Sequence, residues 1–81
     1  MVKYFYFGGF LMETNIPDRL KQLRETANLT QSDMAEILDV KLQSYQRFEY
    51  GSRRPSLDVL IALADYFDVS LDYLVGRTNE K

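Results

Sequence analysis

The side chains with the most chemistry to offer stand between Lys41 and Tyr50. A helix over this stretch would bury Tyr45 and Phe48, which leaves Lys41, Leu42, Gln43, Ser44, Gln46 and Arg47 pointing elsewhere. Arginine carries a planar fork of N–H donors, and glutamine carries a donor and an acceptor side by side. Such a set recognises a hydrogen-bonding surface and does not make or break bonds. A helix this polar on its free face calls for an external partner. Catalysis lacks its usual means here: the 81 residues include no histidine and no cysteine, and the carboxylates are dispersed. With the usual general base, the thiolate nucleophile and the commonest neutral metal ligand all missing, no enzyme, no metal site and no cofactor is expected. Gly8-Gly9 alone is not a phosphate loop.

Two neighbouring segments must hold that helix in place. In Thr30 to Leu38 the apolar residues Met34, Ala35 and Leu38 share one helical face, and Thr30 with Asp33 three residues on has the form of a capping box. Asp39 serves as a turn residue, Val40 turns inward, and Gly51 closes the helix that follows. Thr30 to Gly51 therefore reads as two short helices hinged by a tight turn. Upstream, Asn15 is placed to cap a helix starting at Ile16 or Pro17, with Leu20, Leu23 and Ala27 inward and Asp18, Arg19, Lys21, Gln22 and Glu25 outward. Asn28 tolerates the left-handed conformation that ends such a helix. Downstream, Ser52-Arg53-Arg54-Pro55 forms a basic loop, and Ser56 caps a fourth helix with Leu57, Leu60, Ile61, Ala64 and Phe67 as its apolar stripe. Ser70 caps a last short helix bearing Leu71, Leu74 and Val75 and ended by Gly76. The expected organisation is an extension over 1–15, one all-α five-helix domain over 16–76 and a frayed tail over 77–81.

Composition agrees with one small ordered domain, with 46% apolar and 27% charged residues. The net charge of −2 looks wrong for a partner of nucleic acid until the charges are placed. From 41 to 54, Lys41, Arg47, Arg53 and Arg54 face Glu49 alone, a balance of +3. From 55 to 75 stand Asp58, Asp65, Asp68 and Asp72 with no Lys or Arg, a balance of −4. The segment that would meet phosphate is basic and the segment behind it acidic, so the field is oriented although the sum is slightly negative.

The first fifteen residues are the least typical. Val2 to Phe7 is a β-prone run, Gly8-Gly9 follows, then Phe10-Leu11-Met12, and the stretch holds five of the eleven aromatics. It is too short to span a membrane and lacks the cleavage site of a signal peptide, so a cytoplasmic protein without a membrane partner is expected. An ordered strand of this kind should pair, either with the same segment of a second subunit or with an apolar groove on the helical body. Gly8-Gly9 also lies where a purine-rich ribosome-binding sequence ahead of Met12 would be translated, which makes Met12 a candidate start.

Residues 17 to 75 resemble the Cro/repressor-type helix-turn-helix family, also called the XRE family. The resemblance rests on Leu29, Thr30, Gln31, Met34, Ala35, Ile37, Val40, Tyr45, Phe48, Glu49, Gly51, Pro55 and Ser56, continued by Asp68-Val69-Ser70-Leu71-Asp72-Tyr73-Leu74. It implies a sequence-specific DNA-binding transcriptional regulator, a repressor acting as a homodimer on an inverted repeat of double-stranded DNA. Leu42, Gln43 and Arg47 match the family's base-reading positions, with Lys41 and Gln46 beside them. Gln31 matches a glutamine that binds a backbone phosphate and braces the reading helix, and Tyr50, Ser52, Arg53 and Arg54 match the turn that lies over phosphates. Arg24 and Glu49 match an ion pair joining the first and third helices. Lys41 departs from the pattern where the family has a Ser or Thr cap, and Asp39 and Asp68 stand where it often has glycine. The dimer contact is expected at Leu71, Leu74 and Val75 or, through the extension, at Tyr4 and Tyr6. The alternative is an antitoxin-like or other protein-interaction module on the same fold, with the aromatic extension or the acidic helices meeting a partner protein.

Overall fold

The computed structural model describes residues 3–7 and 10–81, with only the backbone described as far as residue 14. Five helices follow a short hairpin: β1 (Lys3–Phe7), β2 (Phe10–Thr14), α1 (Ile16–Thr26), α2 (Gln31–Leu38), α3 (Leu42–Tyr50), α4 (Leu57–Phe67) and α5 (Leu71–Leu74). The extension pairs with itself: β1 and β2 run antiparallel, with Lys3 opposite Thr14 and Phe7 opposite Phe10. Each strand is thus paired along one edge and open along the other.

All five helices stop by one device. A residue with φ between 54° and 84° ends each of them: Asn28, Asp39, Gly51, Asp68 and Gly76. The next N–H then reaches back five residues, from Leu29 to Arg24, Val40 to Ala35, Ser52 to Arg47, Val69 to Ala64 and Arg77 to Asp72, at 2.8–3.1 Å. These bonds satisfy carbonyls that the helix ends would otherwise orphan, and three of the donors, Leu29, Val40 and Val69, turn their side chains onto the core. Asp39 and Asp68 thus keep the left-handed turns where glycine is more usual.

The helix starts are less uniform. Thr30 and Asp33 form a complete capping box, with bonds of 2.8 and 3.0 Å, and Ser56 and Ser70 accept from the N–H groups of Val59 and Tyr73. Asn15 does not cap α1: its side chain makes no cap bond, and its Oδ1 is buried without a partner. Lys41 provides no side-chain cap for α3.

The core gathers Ile16, Leu20 and Leu23 of α1, Met34 and Ala35 of α2, Tyr45 and Phe48 of α3, Leu60, Leu63 and Ala64 of α4, and Tyr73 and Leu74 of α5. Several expectations are corrected. Ala27 is exposed because α1 ends at Thr26, just before it, and Ile16 takes the inward place at the other end. Leu57 and Ile61 are 64% and 42% exposed, since α4 turns Leu60, Leu63 and Ala64 inward instead. Arg19 is buried at 7% exposure, its guanidinium 4.0 Å above the Tyr73 ring and its Nη2 donating to Asn79 at 2.8 Å. The tail is accordingly docked, and the Ser70 N–H also donates to the Lys81 carbonyl. No helix among the described residues is long and apolar enough to cross a membrane.

Candidate nucleic-acid interface

Helix α3 packs on both α1 and α2 through Tyr45 and Phe48, whose rings meet edge to face at 6.2 Å. With those two residues buried, the opposite side of the helix turns outward. Lys41, Leu42, Gln43 and Arg47 are exposed, and Ser44 and Gln46 are half-buried at the edge. Positions 42, 43, 46 and 47 lie side by side at helical spacing, so one stripe offers an apolar tip, two amides and a guanidinium. Tyr50, Ser52, Arg53 and Arg54 are exposed at the end of that helix and in the turn beyond it, with Tyr50 at 69%. In that turn the N–H groups of Gly51, Ser52 and Arg53 converge on the Arg47 carbonyl at 3.0–3.3 Å, which ties the basic loop to the end of α3.

Beneath this stripe lies a polar network. Arg24 of α1 grips Glu49 of α3 with two bonds, Nε to Oε2 at 2.6 Å and Nη2 to Oε1 at 3.1 Å, and its Nη1 donates to the Leu29 carbonyl at 2.9 Å. Parallel double bonding of this kind fixes direction as well as distance. The side chains are only 12% and 2% exposed. Gln31 of α2 donates its Nε2 to Glu49 Oε1 at 3.1 Å, and the Tyr45 hydroxyl donates to Glu49 Oε2. Gln46 completes the set by donating Nε2 to Gln31 Oε1 at 3.2 Å. One carboxylate thus holds three helices in register.

Its electrostatics follow from those contacts. Burial is the strongest single influence on Glu49 and pushes its carboxyl up, but the bonds from Arg24, Tyr45 and Gln31 together bring it below the usual glutamate value. Burial first, and then the bond to Glu49, drive the Tyr45 hydroxyl far above its ordinary value. The bond to Glu49 raises Arg24. The only anion between 41 and 54 is therefore enclosed and matched by a cation from another helix, while Lys41, Arg47, Arg53 and Arg54 are exposed.

The residues expected at a dimer contact are not brought together on one surface. Leu71 is 38% exposed and Val75 half-buried, but Leu74 is wholly inside the core. The side chains of Tyr4 and Tyr6 lie outside the described residues. Sequence reasoning missed the Tyr45 hydroxyl and the bond between Gln46 and Gln31. A tyrosine four residues before a glutamate, on the side of the helix facing an arginine, was the available signal for the first; for the second, which joins residues fifteen apart, the signal was the brace from Gln31 to the third helix that the resemblance implies, without the partner residue.

The family described as Helix-turn-helix matches residues 20–74. The uncharacterized HTH-type transcriptional regulator YobD of Bacillus subtilis (strain 168) is 42% identical over 62 residues, covering 76% of this chain and 55% of its own length. The cryptic phage CTXphi transcriptional repressor RstR of Vibrio cholerae serotype O1 is 37% identical over 62 residues, covering 76% of this chain and 55% of its own length. This chain thus spans about half the length of the curated relatives it matches. Among solved structures, that of SinR, the master regulator for biofilm formation, in complex with DNA superposes with a TM-score of 0.66 at 28% identity, covering 74% of this chain and 97% of that one.

Proposed function

This chain belongs to the helix-turn-helix family, of the Cro/repressor type, and on that premise we propose that it is a sequence-specific transcriptional regulator, a repressor, that binds double-stranded DNA in the cytoplasm. The observation that carries the proposal is the outward stripe of α3, polar and cationic, braced from behind by the bonds that converge on Glu49. In this reading α3 enters the major groove. Arg47 pairs its fork with guanine O6 and N7, Gln43 bridges adenine N6 and N7, and Leu42 meets a thymine methyl, with Lys41 and Gln46 alongside. Gln31, Tyr50, Ser52, Arg53 and Arg54 lie over phosphates and set the register without reading sequence.

Two copies related by a two-fold axis would set their α3 helices in successive major grooves, about 34 Å apart, on an inverted repeat. The names of YobD and RstR support a regulator, the second a repressor. Selection of bound sites from random duplex DNA tests the reading. Recovery of an inverted repeat with half-sites about one helical turn apart is expected. Recovery of no common sequence refutes base reading by α3.

A further inference from the structure

Tyr45 is the largest side chain wholly enclosed among the described residues, yet it carries a hydroxyl into the core. Phenylalanine would fill the same space without bringing in a polar atom that needs a partner. The hydroxyl is spent on Glu49 Oε2. A carboxylate only accepts, so every group around it must turn a donor inward: Arg24 its guanidinium, Tyr45 its O–H, Gln31 its amide nitrogen. That settles which way Gln31 faces. With Nε2 at Glu49, it turns Oε1 toward Gln46, which must answer with its own nitrogen. Gln46 then keeps its amide oxygen for a partner outside. Five side chains from three helices thus remove the choice between two orientations that a solvated glutamine would have.

We propose that Tyr45 is a positioning residue for DNA recognition that acts through Gln46: with Arg24, its hydroxyl holds the Glu49 carboxylate so that Oε1 meets the Gln31 amide nitrogen, and Gln31 so oriented fixes the polarity of the Gln46 amide, which presents its oxygen to the DNA as an acceptor. The partner this favours is a donor on a base edge in the major groove, the exocyclic amine of adenine or of cytosine. The proposal rests on the DNA-binding reading above.

Tyr45→Phe removes one oxygen and keeps the ring. In the free protein, the side-chain amide signals of Gln31 and Gln46 in a proton–nitrogen correlation spectrum report the relay without any DNA. Tyr45→Phe is expected to shift the Gln46 amide signals, although the two residues share no hydrogen bond; unchanged signals overturn the relay. On DNA, Tyr45→Phe should lower the preference for the selected operator over random duplex by about fivefold, the net worth of one hydrogen bond. Gln46→Ala, which leaves the core untouched, should do the same, and Tyr45→Phe made on top of it should add nothing. An unchanged preference, or losses that add, overturns the positioning role. A wild-type protein that binds no duplex removes the role together with the reading beneath it, while the amide signals still decide whether the relay exists.

Discussion

Glu49 takes part in more hydrogen bonds than any other side chain of the site, and its titration should be visible in the stability of the fold. Its carboxyl lies below the ordinary glutamate value of about 4.3, because the folded state favours the ionised form. The stability it contributes is therefore complete above that value and is lost as pH falls through the lower, folded one. Urea denaturation between neutral and acid pH should show this loss, and Glu49→Gln should flatten that acid limb while lowering stability at neutral pH, where Arg24 would be left buried without its anion. An acid limb unchanged in Glu49→Gln would mean that other carboxylates cause it. Gly76 carries a different constraint. Its φ is +84°, and a Cβ there would lie 2.5 Å from Asn15 Oδ1. Gly76→Ala should destabilise the fold by about 1 to 3 kcal/mol, since it meets both a disfavoured backbone conformation and an enclosed neighbour; thermal unfolding at the wild-type temperature would contradict this.

At the scale of elements, the weak start is that of α3, where Lys41 offers no oxygen to the free N–H groups. Lys41→Ser should stabilise the fold by about 1 kcal/mol, raising the melting temperature by about 4 to 8 °C in a domain of this size, and should at the same time weaken DNA binding by removing a cation from beside the base-reading positions. A variant that melts no higher would show that α3 is held by packing alone. Much of this layer was legible in the sequence. Turn and cap residues act on their own neighbours, so Asn28, Asp39, Thr30 with Asp33, Ser56 and Ser70 announced the helix ends locally. Faces were harder. The sequence of α4, Leu-Asp-Val-Leu-Ile-Ala-Leu-Ala-Asp-Tyr-Phe, is apolar on several sides, so periodicity could not choose between Leu63 and Ile61. Arg19 reads as a solvent residue from its type, and only the distant Tyr73 and Asn79 give it a buried place. The Arg24–Glu49 pair was legible through resemblance to a known pattern, whereas the Gln46–Gln31 bond depends on how two helices cross.

For the molecule as a whole, the slight net negative charge and the basic surface of α3 and its following turn are compatible because Glu49, the one acidic residue between 41 and 54, is enclosed, while Asp58, Asp65, Asp68 and Asp72 lie in the segment behind. Association with DNA should be strongly salt-dependent all the same. Arg53→Ala should weaken binding to every duplex alike and reduce the slope of log affinity against log salt by about 0.9, the share of one phosphate. A loss confined to one sequence would move Arg53 from the backbone to the bases. The proposed binding by two copies to an inverted repeat would add a geometric demand, two α3 helices about 34 Å apart, that an isolated domain cannot meet. The central claim is that the outward stripe of α3 reads bases, and Arg47 tests it most directly. The measurement is the affinity of Arg47→Ala for the selected operator and for random duplex, side by side at one salt concentration. A loss of about 1 to 3 kcal/mol on the operator, with relaxed preference at one base pair and little change on random DNA, is predicted. Equal losses on both would contradict the account.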